Sequence, residues 1–230
     1  MTSPASIRTV GGAQDVPALE RELSSIAPPH VLVGCKRIEA GDEALLLDEE
    51  RRSLTALVPI RRRASGAARS VARRLLAQTG LPGSAILRSA SGAPVWPEGR
   101  AGSMAHDDEL AVAAVARTSD VMSLGIDIEA ATPLPVDLWE LVAPACGLWA
   151  RPNPGLAAKI QFCVKEAVYK SVFPLDGRIL DFADIDVDLE GGLASTSSGH
   201  AVHFRCRVGD RVTAIACVLE PTTNQGSSSG

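Results

Sequence analysis

Between residues 108 and 129 lie two apolar runs, "LAVAAVA" (110–116) and "SLGIDIE" (123–129), separated only by "RTSDVM". Runs this short, bounded by turn-forming residues, read as buried strands. In a strand, residues i and i+2 project to the same face. Leu124, Ile126 and Ile128 are therefore predicted to point into a core, with Gly125, Asp127 and Glu129 on the other face. The two carboxylates are then rooted within about 7 Å of each other. They repel unless a cation lies between them or one is protonated. An all-oxygen pair suits a hard ion such as Mg²⁺, which takes one or two carboxylates together with waters and substrate phosphates. A solvated acidic strand face is the other reading. Residues 184–190 carry that same pattern, with Ile185, Val187 and Leu189 alternating with Asp184, Asp186, Asp188 and Glu190.

Helical patterns frame these runs. "DEALLLDEERRSLTAL" (42–57) has an acidic entry and a basic exit, as a helix dipole favours. "RRRASGAARSVARRLLAQTG" (61–80) predicts a second helix closed by Gly80, and residues 81–108 read as loops around a short strand near Ile86. "GLAAKIQFCVKEAVYKSVF" (155–173) predicts a long helix that Pro174 terminates. Its stripe Ile160, Val164, Val168, Val172 should face the core. Glu166 and Lys170, at i and i+4, share another face with Phe162 one turn earlier, either as a surface ion pair or as part of a site. "AVHFRCRVGDRVTAIACVLE" (201–220) alternates like strands, while residues 1 to about 25 and 221–230 read as flexible. "DELAVAAVA" (108–116) and "DRVTAIACV" (210–218) echo each other, each following a helix. The echo points to two α+β halves, with a boundary near 117–122.

The chain has 230 residues, enough for one large domain or two of about 100 each. Its net charge is only −4, yet residues 51–100 hold ten arginines against a single glutamate, a local balance of +9. Arginine forks suit phosphate, so a polyphosphate ligand or an acidic protein partner is expected there, a solvated basic helix being the alternative. Aromatics at 3% argue against base stacking on nucleic acid. Five scattered cysteines, never as Cys-x-x-Cys, fit reduced thiols rather than a disulfide frame or zinc site. No apolar run reaches the roughly 20 residues that cross a bilayer, and the N-terminus has no signal-like apolar core. A cytoplasmic, soluble protein is expected. Ser103 lacks the Gly-x-Ser-x-Gly setting of a hydrolase nucleophile.

In chain order the sequence runs from an Arg-rich helix through "GAPVWPEGRAGSMAH", a strand and "GIDIE" to "FCVKEAVYKSVFP". This series, over about residues 59–190, resembles the 4′-phosphopantetheinyl transferases of about 230 residues that activate siderophore, polyketide and nonribosomal peptide synthetases. The resemblance implies an α+β fold of two similar halves in pseudo-twofold arrangement, here 1–120 and 121–220 with a tail 221–230, and an active site between them. It implies transfer of 4′-phosphopantetheine from coenzyme A to a carrier-protein serine, with release of 3′,5′-ADP. By position, Asp127, Glu129 and Glu166 match the acids that bind Mg²⁺, with Glu166 also placed as base toward the serine. Lys170 matches the lysine on the pyrophosphate, with Lys165 beside it. His106 matches the histidine on the CoA 3′-phosphate, and Arg61, Arg69 and Arg88 the basic residues around the nucleotide. Coenzyme A and apo acyl or peptidyl carrier domains are the implied partners of a monomer, with neither nucleic acid nor membrane.

The chain departs from that pattern in places. Ala64-Ser65 replaces a Glu-Phe pair and Ala68 a glycine. Ala105 replaces a hydroxyl residue, a hydrogen bond of about 1 kcal/mol or more. Asp107 replaces a cysteine and is expected to set a negative charge beside the phosphate site. A relative that binds CoA or a carrier without turnover is the alternative these changes suggest. In the Pro-rich stretch 133–154, Leu138, Trp139 and Leu148 are candidates for apolar carrier docking.

Overall fold

The computed structural model describes residues 16–54, 58–143 and 152–219. Leu148, Cys146 and the 221–230 tail lie outside them. Of the stretch up to about residue 25 that reads as flexible, the described part from Val16 is helical instead: helix α1, Val16–Ile26, buries Leu19, Leu23 and Ile26 on one face. The i, i+4, i+7 spacing of those three residues is the helical signal. Strand β1 (Leu32–Arg37) follows.

The predicted helix 42–57 is instead two short pieces, a 3₁₀ turn Asp42–Leu45 and helix α2, Asp48–Ser53, because Leu46 and Leu47 adopt extended backbone between them. Helix α3 spans Pro59–Gln78, and Gly80 beyond its end takes φ 89°. A small hairpin, β2 (Leu87–Arg88) with β3 (Pro94–Val95), leads to β4 (Arg100–His106) and β5 (Leu110–Arg117). Strand β6, Ser123–Ala130, carries the acidic pair.

A short helix α4 (Trp139–Val142) precedes α5, Pro154–Asp176, whose N-cap Asn153 accepts from the Leu156 amide. Pro174 does not end α5. The helix runs two residues further, and Gly177 at φ 68° closes it with its amide on the Phe173 carbonyl. Proline removes one amide and crowds one carbonyl, and glycine in the left-handed region supplies the stop. Strands β7 (Ile185–Asp188), β8 (Leu193–Thr196), β9 (Ala201–Val208) and β10 (Arg211–Val218) complete the chain.

The result is α+β, with two antiparallel sheets ordered β1-β5-β4 and β6-β10-β9-β8-β7. The strands that echo each other in sequence, β5 and β10, are both interior strands, β5 between β1 and β4 and β10 between β6 and β9. In each sheet a strand and then a long helix, β1 with α3 and β6 with α5, precede the hairpin that holds β5 or β10. Helix α3 packs on the first sheet through Val71, Ala72, Leu75 and Leu76 against Ala113 and Val115. Helix α5 packs on the second through Val164, Val168 and Val172 against Ala214 and Ala216, as its apolar stripe requires. The remaining faces share one core, in which Leu110, Val112 and Ala114 meet Leu124, Ile126, Ile128 and Ile215.

The two sheets are joined where β4 lies along β6. The buried Ser103 hydroxyl accepts the Ile126 amide at 3.1 Å. That bond satisfies an amide the β6–β10 ladder leaves over and gives Ser103 a structural role.

Candidate active site

Helix α5 lies across β6 in the opposite direction, and Gly125 lets it come close. A Cβ at Gly125 would stand 1.8 Å from the Ala167 carbonyl oxygen. The face of β6 carrying Gly125, Asp127 and Glu129 is therefore not an acidic solvent face but the floor beneath a helix. Asp127 is 5% exposed. Its Oδ1 accepts from the Lys170 ammonium at 2.6 Å, and its Oδ2 is buried with no donor. Beside it is Cys163, whose thiol burial pushes well up, with Asp127 adding to the shift. Glu129, one step along the same face, accepts from Lys159 at 3.0 Å through Oε2.

Glu166 has no ion pair or hydrogen bond of its own among the described residues. Burial raises its carboxyl above the ordinary value; the Lys170 charge opposes this, and Asp127 and Glu129 add to it. Glu129 is likewise raised by burial, against its hydrogen bond from Lys159, with Asp127 contributing upward. Burial pulls Lys170 down, but Asp127 and then Glu166 outweigh it and leave the ammonium held up. Three carboxyls thus feel one another in a half-buried space, where charge interactions are stronger than in water.

Each aspect of this arrangement suits a hard cation, since the donors are oxygens, the charge is negative, and Asp127 Oδ2 is an orphaned buried acceptor. Asp127 and Glu129 are nonetheless each turned to a lysine, Lys170 and Lys159, rather than toward one point with Glu166. Among the described residues no group of three His, Cys, Asp or Glu side chains stands ready to hold an ion.

Lys165, expected beside Lys170, is anchored within the fold. It is buried and donates to the Phe182 carbonyl at 2.7 Å. Lys159 was not among the residues the sequence suggested. It stands seven before Glu166 and eleven before Lys170, the spacing of one helical stripe, and that spacing is the signal that finds it.

A second feature gathers the basic residues. A pocket of about 240 Å³ is lined by Arg61, Ser65, Arg69, Arg88, Met104, Ala105 and His106 among others. Arg69 is buried and anchored, its Nε donating to the Ile86 carbonyl at 2.8 Å and Nη1 to Ser65. Ser65, where a phenylalanine was expected, thus holds the guanidinium. Arg61 and His106 are exposed at the rim.

Asp107 does not carry a loose negative charge into this pocket. Its Oδ1 accepts the Glu109 and Leu110 amides, each at 2.8 Å, and its Oδ2 pairs with Arg211. The pocket walls are fixed from below by Glu50, which is fully buried. Glu50 takes the Leu47 and Ile86 amides at 2.9 and 3.0 Å and pairs with Arg73 on α3.

A larger cavity, about 760 Å³, lies elsewhere, over the face of β9 and β10 beside His30 and Leu189, and is lined by none of these residues. Of the docking candidates, Leu138 is exposed, whereas Trp139 is partly buried and donates its indole N–H to the Leu134 carbonyl at 2.7 Å. No helix among the described residues is long and apolar enough to cross a membrane.

Residues 49–116, which include the whole of α3 and the basic pocket's β4 wall, match the family model of the 4′-phosphopantetheinyl transferase N-terminal domain. The chain is 39% identical over 160 residues to the 4′-phosphopantetheinyl transferase Svp of Streptomyces mobaraensis, covering 65% of this chain and 64% of that one. It is 37% identical over 155 residues to Npt of Nocardia iowensis, covering 65% and 70%. With PptT of Mycobacterium tuberculosis it shares 34% over 166 residues, covering 70% and 71%. With the site geometry and these likenesses together, the chain belongs to the 4′-phosphopantetheinyl transferase family.

Proposed function

We propose that this protein transfers 4′-phosphopantetheine from coenzyme A to a serine of an apo carrier protein and requires Mg²⁺. The observation that carries the reading is the buried, partnerless Oδ2 of Asp127 beside Glu129 and Glu166, under a helix that also presents Lys170. The basic pocket would take the nucleotide end of CoA, with His106 and Arg61 at its mouth. One feature supports treating pocket and acids as one site. Ser103 bonds Ile126 across the sheet junction; His106 lies three residues on from Ser103, and Asp127 one on from Ile126.

In this reading Asp127, Glu129 and Glu166 would hold the metal, which would supply charge neutralisation and in-line alignment at the pyrophosphate. Glu166 takes the proton of the carrier serine hydroxyl. The serine oxygen bonds the β-phosphorus of CoA as the bond to 3′,5′-ADP breaks. Lys170, swung from Asp127 to the phosphates, balances the charge that builds on the leaving oxygen. Arg61, Arg69 and Arg88 fix the nucleotide and so bring the reacting phosphorus to the serine. A pseudo-twofold relation of the halves, divided near residue 120, is part of the same reading and is supported by their shared strand order.

The test is the mass of an apo carrier protein after incubation with this protein, CoA and Mg²⁺, with a chelator control. Gain of the phosphopantetheine mass only when metal is present supports the reading. Tight CoA binding without product on any carrier would favour a binding-only relative.

A further inference from the structure

The two lysines on α5 treat the acids of β6 differently. Lys170 can move to a phosphate when substrate binds, but Lys159 is at the other end of the site. Its Nζ lies 3.0 Å from Glu129 Oε2, and its side chain is 13% exposed against 28% for Glu129. The same ammonium lies 5.4 Å from the centroid of the Phe162 ring, one turn along α5. Phe162 is fixed in turn by the Phe182 ring at 5.5 Å. Lys159 is thus held between a carboxylate and an aromatic face, and it would keep the second contact if it lost the first.

We propose that Lys159 is an internal counter-ion of Glu129 that a divalent cation must displace, so that this residue sets how tightly the acidic site takes its metal. The inference rests on Asp127, Glu129 and Glu166 forming a metal site. Without metal, Lys159 and Lys170 neutralise Glu129 and Asp127 and keep a crowd of buried carboxylates from destabilising the fold. When the ion arrives, Glu129 turns to it and the Lys159 ammonium stays on the Phe162 face. Lys159 is therefore a positioning residue: it touches neither substrate nor phosphate, and its effect passes through Glu129.

The test is titration with Mn²⁺, followed by the electron paramagnetic resonance of the free ion, without CoA. It compares the unaltered chain, Lys159→Met, Lys159→Arg and Asp127→Asn. Lys159→Met is expected to bind Mn²⁺ about three- to tenfold more tightly, the scale of one partly buried ion pair. Lys159→Arg, which keeps both the charge and the pair, is expected to stay within about twofold of the unaltered chain. The Mg²⁺ concentration for half-maximal transfer should fall in Lys159→Met by the same factor as the Mn²⁺ affinity rises. Unchanged or weaker Mn²⁺ binding in Lys159→Met would overturn the counter-ion role while leaving the metal site in place. Absence of Mn²⁺ binding in every form, or binding that survives Asp127→Asn, would overturn the metal site itself.

Discussion

Asp127 is buried to within 5% of complete, yet only one of its oxygens has a partner, the Lys170 ammonium. A half-satisfied buried carboxylate costs stability, and the family's chemistry gives a reason to keep it. Asp127→Asn retains an acceptor for Lys170 but removes the charge. Transfer is expected to fall about a thousandfold with little change in melting temperature, checked by initial rates beside a thermal scan. Glu166→Gln is expected to separate function from stability. Burial, and then Asp127 and Glu129, raise the Glu166 pKa in the fold against the opposing Lys170 charge. Ionising Glu166 therefore costs the native state more than the unfolded chain. Stability is full below the ordinary glutamate pKa and is lost as pH rises through the raised value. The glutamine form, measured without metal, should melt higher than the unaltered chain at neutral pH, and the gain should vanish as pH falls through the raised pKa toward the ordinary one. Its transfer rate should be strongly reduced, because the base is gone. At this scale the sequence showed Asp127, Glu129, Glu166 and Lys170 through strand and helix spacing. Lys159 obeys the same helical spacing, and the tethering of Asp107 by Arg211 links residues about a hundred apart, which no local pattern reveals.

At the scale of elements, the site exists because α5 can lie almost on the backbone of β6. Gly125→Ala would put a methyl group 1.8 Å from the Ala167 carbonyl. Helix and strand would have to part, and a loss of about 3 kcal/mol in denaturant unfolding is expected. Metal affinity should fall with it, since the acids and Lys170 would move apart. Glu50→Ala should cost more, about 3–5 kcal/mol, because it strands the Arg73 charge and the Ile86 amide in the interior. Among elements, α5 and β6 were legible from periodicity and α3 from its helix-forming residues and the closing Gly80. The helix at 42–57 divides because Leu46 and Leu47 are extended and bury Leu46 in tertiary contact, an override that local propensity does not show. Pro174 marked a stop that Gly177 actually makes. Helix α1 was missed although Leu19, Leu23 and Ile26 carried its period, since the unpatterned residues before it dominated the reading of the whole segment.

For the molecule as a whole, the two sheets meet through a shared core, the Ser103–Ile126 bond and the Arg211 pairs with Asp107 and Glu109, contacts close in sequence to both the acids and the basic pocket. Arg61 lines that pocket from an exposed position and makes no hydrogen bond or ion pair among the described residues. Arg61→Ala is therefore expected to raise the KM for CoA roughly tenfold with kcat nearly unchanged, as removal of uniform binding does. His106→Ala should narrow the difference between CoA and its 3′-dephospho form. The positive balance of residues 51–100 was visible in composition, but not how it is divided. Arg73 and Arg63 serve ion pairs with Glu50 and Glu43, while Arg61, Arg69 and Arg88 line the pocket. Of the departures, Ser65 holds the Arg69 guanidinium and Asp107 is tied to Arg211, while Ala105, where a hydroxyl was expected, lines the pocket. The central claim is that these residues carry out transfer. Intact mass of an apo carrier protein incubated with the protein, CoA and Mg²⁺ tests it most directly. A gain of one phosphopantetheine, lost on chelation and in Asp127→Asn, is the expected result; unchanged mass across several acyl and peptidyl carriers, with CoA bound, would contradict it.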